Sequence, residues 1–88
     1  MFDVVGFYKF IKISYLKKNQ KVLLETLNKK NIRGTIIISK EGINGTLSGK
    51  INNLSKMIKL VKKIILVRKF DSENLSKSKF NPFHRAKI

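Results

Sequence analysis

Arg33-Gly34-Thr35-Ile36-Ile37-Ile38-Ser39-Lys40-Glu41-Gly42-Ile43-Asn44-Gly45-Thr46-Leu47-Ser48-Gly49 is the stretch on which the fold turns. In its first half Ile36 and Ile38 point one way along an extended chain while Thr35, Ile37 and Ser39 point the other, the two-residue period of a strand. In its second half Ile43, Gly45 and Leu47 alternate with Asn44, Thr46 and Ser48, a second strand. Lys40-Glu41-Gly42 supplies the turn, so the pair forms an antiparallel hairpin. A reversal at Asn44-Gly45, the stronger two-residue hairpin signal, is the alternative, but it leaves the returning strand almost no length before Gly49.

Upstream, Val4 to Ile13 is rich in aromatic and β-branched residues with apolar groups on both alternating sides, the pattern of a strand central in its sheet. Ser14 is placed to cap a helix running to about Asn31, in which Leu16, Gln20, Leu23, Leu24 and Leu27 fall at helical spacing. Downstream, Ile51, Leu54, Ile58, Val61 and Ile65 recur at three- and four-residue steps with Lys56, Lys59, Lys62 and Lys63 on the other faces, which predicts a second helix. β-Forming residues return from about Leu66 to Asp71, Ser72 to Asn81 reads as polar loop, and Phe83 to Ile88 begins a further strand. The order β-α-β-β-α-β predicts a ferredoxin-like α+β sandwich, an antiparallel sheet with two helices on one face and the other face open or covered by something else.

Length and charge bound what such a domain does. Eighty-eight residues make one small domain without room for a large enclosed active site. Twenty Lys plus Arg against five Asp plus Glu gives +15, and the 42% hydrophobic content with six Phe is enough for a core, so the chain reads as a folded basic domain. Such a charge implies a polyanionic partner, nucleic acid ahead of an anionic membrane. Seventeen of the twenty basic residues are Lys, and twelve Ile and eight Asn accompany them, so part of the surplus also fits the codon usage of an AT-rich genome. Without Cys there is no disulfide, thiolate chemistry or zinc–thiolate site, and a single His cannot build a metal cluster, so neither metal nor cofactor is expected. The N-terminal residues lack a signal-peptide pattern and the apolar runs Ile36 to Ile38 and Ile64 to Val67 are too short to span a bilayer, so a soluble, cytoplasmic protein is expected.

The five carboxylates, Asp3, Glu25, Glu41, Asp71 and Glu73, are scattered, and none pairs with another for acid–base work. Phosphate-loop and dinucleotide-binding glycine motifs are missing. The ten residues from Lys40 to Gly49 hold three glycines among small polar residues. They read as turn and packing chemistry, or as exposed amides that, with Lys40, Asn44 and Thr46, grip a phosphate or a partner's backbone. On the first strand at least two of Phe7, Tyr8 and Phe10 belong to the core. With Tyr8 and Phe10 facing the helices, Phe7 and Lys9 would offer a ring and a cation on the open side.

Tyr8-Lys9-Phe10, Arg33 to Ser39, Glu41-Gly42-Ile43-Asn44-Gly45-Thr46-Leu47-Ser48-Gly49 and Pro82-Phe83-His84-Arg85-Ala86-Lys87-Ile88 occur in that order, and with them the chain resembles the N-terminal acylphosphatase-like domain of the rhodanese-family tRNA uridine hydroxylases. The resemblance covers essentially the whole chain. It implies an acylphosphatase-like version of the ferredoxin-like fold. It also implies, for the full-length protein, oxygen-dependent hydroxylation of the wobble uridine in tRNA, with the reactive cysteine in a following rhodanese domain. No catalytic residue carries over to this cysteine-free chain, which ends at Ile88 where the family continues, and Ala86 departs from the larger aliphatic residue of the family's Pro-Phe-x-x-Leu-Lys-Val pattern. True acylphosphatases share the fold but need an Arg in a phosphate-cradling loop after the first strand, and between Phe10 and Leu16 there is neither Arg nor Gly. The expected role is therefore a non-catalytic module that contacts tRNA phosphates, docks on the rhodanese domain, or both; a stand-alone basic interaction domain is the alternative. The candidate RNA- or domain-contacting residues are Phe7, Lys9, Lys40, Asn44, Thr46, His84, Arg85 and Lys87.

Overall fold

The computed structural model describes residues 2–88; Met1, part of the stretch read for targeting, lies outside them. The elements are β1 (Phe2–Phe10), α1 (Leu16–Lys29), β2 (Arg33–Ser39), β3 (Gly42–Gly49), α2 (Ile51–Ile65), β4 (Ser72–Ser78) and β5 (Ala86–Lys87). They form a five-stranded sheet in the order β4-β1-β3-β2-β5 with both helices on one side, an acylphosphatase-like ferredoxin fold. The hairpin turns where expected, since Ser39 pairs with Gly42 across Lys40-Glu41, and the reversal at Asn44-Gly45 does not occur. β5 runs parallel to β2, which makes the sheet mixed rather than wholly antiparallel.

One core lies between sheet and helices. Val5 and Phe7 from β1, Ile36 and Ile38 from β2, and Ile43 and Leu47 from β3 meet Leu23 and Leu27 of α1 and Leu54, Met57, Ile58 and Val61 of α2. The helices are antiparallel: Asn53, at the start of α2, donates from Nδ2 to the Lys30 carbonyl beyond the end of α1, at 3.2 Å. Gly34 shows why the hairpin needs glycine. Its φ is +129°, and a Cβ there would collide with the Thr46 carbonyl oxygen of the neighbouring strand.

Four expectations are corrected. The strand placed at Leu66 to Asp71 is not one. Leu66 ends α2 in a left-handed conformation (φ 61°), Val67 to Phe70 turn the chain, and β4 is instead the polar run Ser72–Ser78, an edge strand held by pairing with β1. Phe70 leaves the chain path to stack on Phe7, with ring centroids 4.6 Å apart. Ser14 makes no side-chain cap; Tyr15 occupies that position in a left-handed conformation, and the Ser14 carbonyl accepts a bond from Asn19 Nδ2. Ile51, placed in the apolar stripe of α2, is 43% exposed, while Met57, which the stripe omitted, is fully buried.

Candidate docking and nucleic-acid surfaces

Register assigns every strand residue to a face. Tyr8 pairs with Asn44, which pairs with Ile37, so these three share one rung of the open face, and Phe10 lies one rung further along. Tyr8, Phe10 and Ile37 are 43%, 77% and 58% exposed. The Tyr8 and Phe10 rings meet edge to face at 5.6 Å, and with Ile37, Ser39 and Asn44 they border a shallow depression of about 140 Å³. This platform reverses the expected phase of β1. Phe7 is only 4% exposed, and Lys9 lies on the same helix-covered side, where its Nζ donates to Asp71 Oδ1 at 3.1 Å. The reason lies in β3: Gly45 sits in the buried phase between Ile43 and Leu47, and only a residue without a Cβ leaves room for the Phe7 ring opposite it. That glycine was the signal in the sequence, because a missing side chain in the core phase of one strand asks for a large ring on its neighbour.

Asp71 closes this end of the sheet. Its Oδ2 accepts the Phe10 backbone N–H at 2.8 Å while its own N–H donates to the Tyr8 carbonyl, also at 2.8 Å. The Phe10 bond first, and Lys9 second, hold the Asp71 carboxyl below the ordinary carboxylate value.

The other candidates scatter. Thr46 shares the next open-face rung with Thr35, and Lys87 pairs with Thr35 from β5, so Thr46 and Lys87 flank one threonine. His84 and Arg85 are exposed on the segment leading into β5, where the Arg85 carbonyl accepts the Gly34 N–H at 3.0 Å. That segment also covers one end of the open face: Ser48, fully buried, donates from Oγ to Asn81 Oδ1, which accepts the Phe83 N–H as well. Ala86 and Ile88 pack against the core despite the small side chain at Ala86. Lys40 stands apart at the hairpin turn, beside a concavity of about 760 Å³ lined also by Lys12, Tyr15, Lys17 and Lys18. The structure therefore joins Asn44, Thr46 and Lys87 on one face and separates Phe7, Lys9 and Lys40 from them. Tyr8, Phe10 and Ile37 are the open-face residues that the sequence reading missed.

Among the described residues there is no cluster of His, Cys, Asp or Glu able to hold a metal, and no helix long and apolar enough to cross a membrane.

Solved structures with this arrangement include the acylphosphatase from Bacillus subtilis, at TM-score 0.67 and 14% identity over 100% of this chain and 98% of that one. Another is an acylphosphatase from Coxiella burnetii, at TM-score 0.67 and 4% identity over 98% of this chain and 90% of that one. At those identities the likeness is one of fold. Among curated proteins, the tRNA uridine(34) hydroxylase of Pelagibacter ubique (strain HTCC1062) is 61% identical over the whole chain, and that of Bartonella quintana (strain Toulouse) is 31% identical over 99% of it. The chain spans 29% and 28% of the length of those two relatives. The model of the UPF0176 acylphosphatase-like domain matches residues 2–88, and the chain belongs to that family.

Proposed function

We propose that the chain is a non-catalytic module of a tRNA uridine(34) hydroxylase, contacting tRNA through backbone phosphates and presenting its open sheet face for docking on the rest of a longer protein, the rhodanese domain foremost. The observation that carries this reading is the 61% identity, over the full chain, to a protein named for that activity. The net charge of +15 supports the tRNA contact, since basic side chains bind phosphates with little regard to sequence. The exposed Tyr8, Phe10 and Ile37, grouped with Asn44 and bordered by Thr46 and Lys87, support docking, because neighbouring apolar side chains left in water favour a partner surface. Arg85, with His84 beside it, then adds a cation at the margin of that face, while Phe7 and Lys9 serve the fold and Lys40 lies apart at the hairpin turn.

Acyl phosphate hydrolysis is disfavoured by the β1–α1 connection, Ile11-Lys12-Ile13-Ser14-Tyr15, which has no Arg to cradle a phosphate. The test of the main reading is to titrate the 88-residue chain with tRNA over a salt series. The expected result is weak binding that falls steeply with salt, log affinity dropping by about 0.7–0.9 per phosphate neutralised for each decade of salt, with little preference among tRNA species. A folded chain that binds no tRNA at low salt would leave docking as its role.

A further inference from the structure

The positive charge is not spread evenly over the surface. The helical layer, residues 16–30 and 50–65, holds ten of the seventeen lysines and a single acidic residue, Glu25. On the open face the register leaves Arg33 and Lys87 as the charged side chains among residues drawn from five strands. Codon drift toward lysine has no reason to spare one solvent-facing surface and load another.

The arrangement within the layer is that of a ridge. Lys56, Lys59 and Lys63 are exposed on α2 at steps of three and four residues, one stripe about 10 Å long at ~1.5 Å rise per residue, comparable to the span of neighbouring phosphates on a nucleic-acid backbone. Lys17, Lys21 and Lys29 repeat at multiples of four on the exposed side of the antiparallel α1. Like charges at this spacing repel, and Lys17 with Lys18 occupies the first turn of α1, where the helix dipole favours an anion and the chain places no acidic residue. Internal compensation is slight: among the described residues the ion pairs are Lys9 with Asp71 and Lys62 with Glu73, so of the ten layer lysines only Lys62 has a carboxylate partner.

We infer that the outer surface of the two helices is the RNA-binding surface of this domain, its lysines tracking the phosphate backbone while the sparsely charged sheet face on the opposite side stays free to dock. This rests on the tRNA reading above and adds the surface to it. RNA and partner protein then approach from opposite sides of the sheet and do not compete.

The experiment compares two charge-matched variants of the 88-residue chain, Lys56→Gln/Lys59→Gln/Lys63→Gln on α2 and Lys69→Gln/Lys77→Gln/Lys79→Gln along and around β4, with tRNA affinity measured over a salt series and folding checked by circular dichroism. All six side chains are exposed, so both variants are expected to fold. The helix variant should lose about tenfold or more in affinity at low salt and flatten the log–log salt slope by about 2, while the β4 variant changes affinity by less than about threefold. Equal losses in both would overturn the assignment to the helices and leave the tRNA reading standing. No binding by the unaltered chain, or binding to phosphatidylserine vesicles without binding to tRNA, would overturn both.

Discussion

On its helix-covered side the sheet presents Val5 and Phe7 from β1 and Ile43, Gly45 and Leu47 from β3, all buried; on its other side the same two strands present Tyr8, Phe10, Asn44 and Thr46, all exposed. The two sets alternate residue by residue along one backbone, so differences between them reflect surroundings and not chain position. The covered set fits closely enough that a single Cβ matters. The open set carries rings, an amide and a hydroxyl with few intramolecular partners, and stability has little hold on it. Substitutions on the first side should therefore act on folding, and those on the second on whatever meets the sheet.

The largest contrast is expected between two isoleucines. Ile58 is buried on α2 against the sheet, so Ile58→Ala should cost about 2–5 kcal/mol through lost burial and the cavity left behind. Ile37, 58% exposed on the open face, should tolerate alanine within about 0.5 kcal/mol. Denaturant melts of the two variants check this, and similar losses would mean that the open face is structural.

A glycine pair sharpens the same comparison at smaller amplitude. A Cβ at Gly45 would lie 2.7 Å from Phe7 Cζ and 3.1 Å from the Thr35 carbonyl oxygen, so the ring must leave its stack on Phe70 or the strands must part. Gly45→Ala should cost about 1–3 kcal/mol. At Gly6, on the open face of β1, the nearest atoms to a new Cβ are 3.9 Å away, and Gly6→Ala should be neutral or stabilise by up to about 1 kcal/mol through a less flexible unfolded chain. Thermal melts ranking Gly6→Ala below Gly45→Ala would refute this account of the two faces.

The same contrast explains what was legible in the sequence. Both helices, the hairpin and its turn stood out because each buries one side only, and a one-sided environment imprints its period. β1 did not show its phase, because Phe7, Tyr8 and Phe10 are all aromatic and the open face keeps two of them. β4 was missed because Ser72-Glu73-Asn74-Leu75-Ser76-Lys77-Ser78 has one apolar residue, and an edge strand that buries almost nothing is specified by its neighbour's hydrogen bonds rather than by its own composition. Val67 to Phe70, β-forming in composition, is bent by the left-handed end of α2 and by Phe70 docking under Phe7, and both depend on tertiary contacts. The basic surface was legible as a sum but not as a place, since charge has no period until the elements are packed.

A pH effect belongs to the boundary between the two faces. Asp71 is held below the ordinary carboxylate value by the Phe10 N–H and then by Lys9, so its charged form is favoured in the folded chain. A depressed folded value means that the contribution is present above the unfolded value, about 3.9, and is lost as pH falls through the lowered one. The group is exposed, so the effect should be modest and weaken with salt. Asp71→Asn should lower stability at neutral pH, and the gap between it and the parent should narrow below about pH 4. Chemical melts at several pH values check this, and curves that stay parallel into acid would remove Asp71 from the account.

The smallest effect on stability, and the most informative about function, is expected at Asn44. Its side chain is exposed on the rung between Tyr8 and Ile37, and among the described residues it makes no hydrogen bond, so Asn44→Ala should change stability by only a few tenths of a kcal/mol. The same substitution should be measured in two settings, the 88-residue chain and a longer protein that includes it. In the short chain tRNA affinity per folded molecule should not change, because the lysines proposed to meet phosphate lie across the sheet. In the longer protein the proposed docking would set the amide against another surface, and its loss should then leave an unpaired polar group there and loosen the assembly, read as a lower melting temperature or a lower rate of the proposed uridine hydroxylation. Loss of fold in the short chain would assign Asn44 to hairpin structure instead, and the open face would then rest on Tyr8, Phe10 and Ile37 alone.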